Sequence, residues 1–222
     1  MSNATAVSAS ASDQAKPATR ASANQAPLWV TVVPLLALFA AAVFMFWLSK
    51  GDMAGSFGYW ELFIPVVAVV SLFSGWGQAY VNDNPRLIYV VKQVLHWGLL
   101  LGLVYVLNTQ GVRGLMNDQQ YTTVLLYLLG FTTLLAAVHV DIKLLFFGVF
   151  LVFCGYLIAV PVDNPTLVAI GNAFGIAEAQ SSPLMVTMGV ALVGFVATLF
   201  LVFMLRGAIL SKRVANKRKA GA

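Results

Sequence analysis

Residues 184–205 form a run of 22 side chains without a single charge. An α-helix rises about 1.5 Å per residue, so such a run is roughly as long as a bilayer's hydrocarbon core is thick, about 30 Å. In lipid every backbone N–H and C=O has to be satisfied within the segment, which makes a helix the expected structure for an apolar run of this length. Segments 28–48, 60–81, 87–107, 121–138 and 144–160 repeat the pattern, the last of them short. Charged residues are 9% of the chain and apolar residues 60%, against about 25% charged in an ordinary soluble domain. A soluble monomer is excluded on that ground, and disorder of the whole chain by its apolar content. The expectation is an all-α integral membrane protein, a bundle of six transmembrane helices.

The boundary between the fourth and fifth spans is the least marked. Residues 121–160 are one apolar stretch interrupted by His139, Asp141 and Lys143. A single tilted helix is the alternative, but it would be about twice the bilayer thickness with charges at its centre, where they cost most. A tight helical hairpin with His139–Lys143 at its turn, and Asp141 capping the fifth helix, is the better reading.

Lys and Arg set the orientation. Six spans put both ends on one side, together with Lys16, Arg20, Arg86, Lys92, Lys143 and six basic residues from Arg206 onward. That side holds eleven of the thirteen basic residues, and the other holds Lys50 and Arg113. Both termini are therefore expected in the cytoplasm of a bacterial-type inner membrane. Residues 1–26, rich in Ala, Ser and Gln, are expected to be a disordered tail, because they cannot bury enough apolar surface to offset ordering entropy. The leader is too polar and the following apolar run too long for a signal peptide. Residues 27–206 form the transmembrane domain, and 207–222 a basic tail, read first as a topology determinant with no other role and alternatively as a contact for anionic lipid. No aromatic or folded basic module accompanies those charges, so nucleic acid is not an expected partner. Residues 161–183 read equally well as a short interfacial helix and as an irregular loop.

Soluble-enzyme motifs are missing: there is no Walker glycine loop, no G-x-S-x-G, no H-E-x-x-H and no dinucleotide fingerprint. The single cysteine, Cys154, excludes an internal disulfide and a cysteine-cluster metal site, and its apolar surroundings mark it as a small buried residue. No catalytic or metal-ligating set is expected, and no cofactor. A haem between His96 and His139 is disfavoured by a mismatch in depth of roughly 10 Å, counted along the helices.

Polar residues inside spans cost energy and so need a reason. Ser71, Ser74, Gly75 and Gln78 fall at i, i+3, i+4 and i+7 in the second span, and Tyr89, Lys92, Gln93 and His96 do so in the third. Each set shares one helical face. The two spans are antiparallel neighbours across the turn Asn82-Asp83-Asn84-Pro85-Arg86, so the faces can meet. One reading is a polar pathway with His96 as the group that changes charge near neutral pH, Lys92 as the ion-steering charge, and His139 and Asp141 closing the cluster. The simpler reading is that Lys92 snorkels to the interface and His96 makes one interhelical hydrogen bond.

Gly98 and Gly102 form a G-x-x-x-G face, extended by Tyr105. Such faces allow close helix approach, and packing within one bundle is expected before contact with another chain. Gly130, Thr133 and Ala137, Gly148 and Gly155, and Ala37, Ala40 and Ala41 are similar. Pro34 and Pro65 sit inside the first and second spans, and Trp29, Trp47, Tyr59, Trp60 and Tyr121 are expected as interface anchors.

These features suit a non-catalytic accessory or scaffold subunit of a larger membrane assembly, with lipid and other membrane proteins as its partners. The alternative is a small transporter or channel using the Lys92–His96 face. A membrane enzyme with His139 and Asp141 as acid–base residues comes third, since no nucleophile accompanies them.

Overall fold

The computed structural model describes residues 28–50, 53–81, 86–139, 142 and 144–220. All regular structure among them is helical: α1 (Leu28–Ser49), α2 (Met53–Val81), α3 (Arg86–Thr109), a 3-10 turn (Val112–Leu115), α4 (Asp118–His139), α5 (Leu144–Ala159), α6 (Pro165–Ala173) and α7 (Pro183–Ala220). Five of these helices, α1, α2, α3, α4 and α7, are long and apolar enough to cross a membrane. The chain is a multi-pass helical membrane protein. With 16 residues, α5 measures only about 24 Å, short of the hydrocarbon core. The expected tail 1–26, and Asp141 and Lys143 of the expected turn, lie outside the described residues.

The long apolar stretch does break where the charges fall. α4 ends at His139 and α5 begins at Leu144, and the two lie in close contact. A Cβ on Gly148 would stand 2.8 Å from Leu134 Cγ, and one on Gly130 would stand 2.8 Å from Val152 Cγ2. The hairpin is thus an interlock in which each helix offers a glycine to a branched side chain of the other. Tyr127 lies likewise against Gly155, and Cys154 is fully buried.

α1 packs on α2 and α7, α2 also on α3 and α4, and α5 on α4 and α7. Aromatic rings fill the centre. Phe39 meets Phe147 edge-on at 5.2 Å between centroids, and Trp60 lies 4.8 Å from Phe46 and 5.8 Å from Phe63. Such offset and edge-to-face pairs add attraction beyond their area, about 0.5–1.5 kcal/mol each. Phe73, Leu87, Leu99, Phe131, Phe146 and Phe200 are exposed around the outside, a surface suited to lipid.

Two expected interface anchors are core residues instead. Trp60 and Tyr121 are each only 1% exposed. A span-end position does not fix which way a ring points. The short α1–α2 connection brings Ser49 Oγ within 3.0 Å of the Trp60 indole N–H, and the hydroxyl of Tyr121 is drawn to Glu61. Trp47 and Tyr59 do face outward.

The segment 161–183 contains α6. Asn164 caps it by accepting the Leu167 N–H at 3.0 Å, with Pro165 in the first turn. It ends in a Schellman motif: Gly175 takes φ 73°, its N–H bonds the Asn172 carbonyl, and the Ile176 N–H bonds that of Gly171. Leu167 is fully buried with Leu157 and Val186, so the apolar side of α6 faces the bundle. At the other extreme, α7 runs unbroken past the apolar span and through the basic segment to Ala220.

Candidate functional site

The polar residues of the second and third spans do come together, but not on one open face. α3 buries a single stripe, Gln93, Trp97, Leu100 and Val104, at helical spacing. Tyr89 lies half-buried at the start of that stripe. Its hydroxyl donates across to the Leu72 carbonyl of α2 at 3.0 Å. Gln93 Nε2 lies 3.3 Å from the Tyr89 oxygen, and Gln93 Oε1 accepts the Trp97 indole N–H at 2.9 Å. The result is a closed chain: indole to amide, amide to phenol, phenol to backbone. Gln93 is 1% exposed, and its amide is engaged at both ends. Ser74 is buried beside this seam, and the buried Ser71 hydroxyl makes no hydrogen bond among the described residues. Gln78 belongs to α2, with its side chain outside the described set.

His96 turns the other way, towards α4. Its Nε2 lies 2.9 Å from the Thr132 carbonyl oxygen. A carbonyl only accepts, so Nε2 carries the proton. Lys92 is exposed on the outer side of α3. Consecutive residues on a helix are about 100° apart, so Gln93 and Lys92 cannot both face α2. The expected single polar face of Tyr89, Lys92, Gln93 and His96 therefore splits three ways: inward to α2, sideways to α4, and out. His139 closes α4, with its Nδ1 donating to the Leu135 carbonyl at 2.9 Å. Asp141, expected to close the cluster with His139, lies outside the described residues.

A second polar network, which motif spacing does not reveal, lies at the opposite ends of the same helices. Glu61, the only charged residue of the apolar run 60–81, accepts from the Tyr121 hydroxyl at 2.5 Å and from Asn108 Nδ2 at 2.9 Å. Asn108 Nδ2 also approaches the Tyr121 oxygen at 3.2 Å. Three helices are thus tied at one carboxylate. Arg113, on the 3-10 turn, pairs with Asp118 and lies over the rings of Phe57 and Tyr121, 4.3 and 4.8 Å from their centroids. Charge-assisted bonds of this kind contribute about 1.5–3 kcal/mol when sheltered, and less here, where Glu61 and Arg113 are partly exposed. The sequence signal was a lone carboxylate one residue inside a span and an Asn in the last turn of the next. Counted across the 82–85 turn, those two positions lie level.

The glycines also divide. A Cβ at Gly98 or Gly102 would meet nothing within 4 Å. The G-x-x-x-G motif expected to pack inside the bundle lies instead on the outward side of α3, with Val91, Val94, Leu95, Leu99 and Tyr105 exposed around it. Among the described residues no group of three or more His, Cys, Asp or Glu side chains is placed to hold a metal ion.

No protein-family model, curated protein or solved structure matches this chain.

Replacing Gln93 by Leu is expected to strand the Trp97 indole N–H, at a cost of about 1–3 kcal/mol. Both bonds of the Gln93 amide lie within α3, and side-chain hydrogen bonds in membranes are on average worth only about 0.6 kcal/mol. The lower end of the range is therefore expected, read as a fall in the midpoint of SDS-induced unfolding in bicelles. An unchanged midpoint would show that the Gln93 amide contributes nothing to stability.

Proposed function

We propose that this protein is a non-catalytic accessory or scaffold subunit of a larger assembly in a bacterial-type inner membrane, with six spans and both termini in the cytoplasm. The excess of basic residues at the terminal ends of the spans supports the orientation. The reading rests chiefly on α3. Its buried stripe is consumed by α2 and α4, while Gly98 and Gly102 leave a small-residue groove facing out. Elsewhere the same residue type is used for helix contact: Gly130, Gly148 and Gly155 each meet a neighbouring side chain. On α3 the matching helix would belong to a partner protein. The polar-pathway alternative has less support, because Tyr89, Gln93, Trp97 and His96 are hydrogen-bonded to one another or to neighbouring backbone.

The test is purification of the tagged chain from its native membrane, with co-purifying proteins identified by mass spectrometry. A stoichiometric membrane partner is expected. Gly98→Leu and Gly102→Leu should each lower its recovery by about tenfold, equivalent to 1.4 kcal/mol. Both variants should fold as well as the wild type, since the added side chains enter open space and Leu is the better helix former. Undiminished recovery in both variants would refute a partner at this face. A wild-type chain that purifies alone would refute the scaffold reading, and flux measurements on Lys92→Ala and His96→Ala in vesicles would then test the alternative.

A further inference from the structure

α7 carries two stripes on opposite sides. The inner one packs into the bundle: Thr187 and Ala191 are fully buried, and a Cβ on Gly194 would stand 3.0 Å from the Phe39 ring. The outer one, Val193, Val196, Phe200 and Phe203, alternates spacings of three and four residues. Its members are 53–61% exposed, so no described part of this chain covers them. The same spacing continues through Gly207, Leu210, Val214 and Lys217. α7 is one unbroken helix from Pro183 to Ala220, so the whole series shares one side, in the a and d positions of a heptad pattern.

The stripe outruns the membrane. The apolar run ends at Leu205. At about 1.5 Å per residue, Leu210 lies about 8 Å and Val214 about 14 Å further along. Headgroups add only about 5–8 Å per leaflet. Lipid therefore suffices to cover the stripe as far as Phe203 but does not reach Val214. Beyond the membrane the flanks become basic. Arg206 and Arg213 take the g positions on one side of the stripe, and Arg218 takes an e position on the other. No Asp or Glu follows Glu178, so α7 offers these charges no counter-charge of its own.

The flanks decide what can cover the stripe. A second copy inserted with the same topology would lie parallel, and each g position would then meet the next e position across the seam. That sets Arg213 of each copy against Arg218 of the other, a repulsion made twice. An anionic bilayer attracts Arg206 but leaves the far end of the stripe bare. A helix with an apolar seam and acidic flanks answers both the stripe and the charge. We propose that the outer face of α7 docks an acidic helix of a partner protein, which leaves the membrane alongside α7 and carries Asp or Glu on either side of its seam. This face is separate from the Gly98–Gly102 face of α3, so the two can be tested independently, and it does not depend on which side of the membrane the C-terminus occupies.

The probe is a synthetic three-heptad peptide with Leu at a and d and Glu at e and g. It is added to the full chain in phosphatidylcholine nanodiscs at physiological salt, and binding is read by fluorescence anisotropy. One control peptide has Lys at e and g, and another has the acidic composition in scrambled order. The acidic heptad peptide is expected to bind at least tenfold more tightly than either control. Leu210→Ser with Val214→Ser should weaken it at least tenfold with every charge kept. Arg206→Glu, Arg213→Glu and Arg218→Glu together should reverse the preference towards the Lys peptide. The buried residues described on α7 end at Thr198, so both variants should keep the wild-type unfolding midpoint. In native membranes, p-benzoylphenylalanine in place of Ser211 should cross-link to another protein, and peptide mapping should place the link in a segment with Asp or Glu beside an apolar heptad seam. Gly98→Leu should leave that link unchanged. The proposal is overturned if the scrambled peptide binds equally, if the Leu210 and Val214 substitutions change nothing, or if the cross-link forms with lipid or with a second copy.

Discussion

Gly148→Leu is expected to prevent the α4–α5 hairpin from closing. At this position even a Cβ would stand 2.8 Å from Leu134 Cγ and 3.0 Å from the Leu134 backbone nitrogen. The Leu134 side chain can rotate away, but the backbone atom can yield only if the helices separate. Separation would also disturb Gly130 against Val152 and Gly155 against Tyr127, because all three contacts lie along one interface. Overpacking a tight core typically costs about 1–3 kcal/mol, and occasionally more. An interlock with backbone atoms on both sides belongs at or above the upper figure. Gly148→Ala should cost less but remain measurable, because its one added carbon makes the same two short contacts. Gly98→Leu is the matched comparison, with the same residue change on a face where nothing lies within 4 Å. Unfolding midpoints in bicelles should fall steeply for Gly148→Leu and stay level for Gly98→Leu. Equal midpoints would mean that α4 and α5 are not in this close contact.

That contrast shows where sequence reading stops. Gly98/Gly102 and Gly148/Gly155 look alike on paper, as small residues in apolar helices. In a soluble helix a polar face identifies the outside. In a membrane helix the outside is as apolar as the core, so residue type does not separate the two. The runs and their breaks were legible, because length and charge depend only on the chain: α4 stops at His139 and α5 starts at Leu144, where the charges fall. Which glycine faces a neighbour depends on helix rotation, and apolar periodicity does not specify that.

The polar groups were legible in pairs rather than in networks. Tyr89, Gln93 and Trp97 follow the stripe of α3 and could be read from spacing. Glu61 and Asn108 could be matched by counting across a short turn. Tyr121 could not, because its place beside Glu61 is set by the irregular 110–117 connection. There Gly111 takes φ 74° and leads the chain into the 3-10 turn that carries Arg113. A left-handed residue of this kind redirects the chain in a way that hydrophobic patterning does not encode. The network therefore depends on a loop conformation, while the seam of α2 and α3 depends only on helix geometry.

Trp60→Ala is expected to be the most damaging single truncation. Trp60 is 1% exposed, packs against the rings of Phe46 and Phe63, and donates its indole N–H to Ser49 Oγ at 3.0 Å. Three contributions are lost together. Removal of a buried Trp or Phe costs about 3–5 kcal/mol in cores that cannot collapse. Collapse is difficult here, because α1 and α2 are joined by a connection too short to let either helix slide far. The aromatic pairs with Phe46 and Phe63 are lost as well. The hydrogen bond matters least: Ser49 Oγ also donates to the Met45 carbonyl at 2.9 Å, so it keeps a partner. Trp60→Phe separates the terms, since it removes the N–H and part of the volume but keeps a ring. The order of SDS-unfolding midpoints in bicelles should be wild type, then Ser49→Ala slightly below, then Trp60→Phe, with Trp60→Ala far below. If Trp60→Ala unfolds with the wild type, the ring lies at the lipid surface as an interface anchor. If Ser49→Ala falls as far as Trp60→Ala, the hydrogen bond rather than the packed ring holds the α1–α2 hairpin.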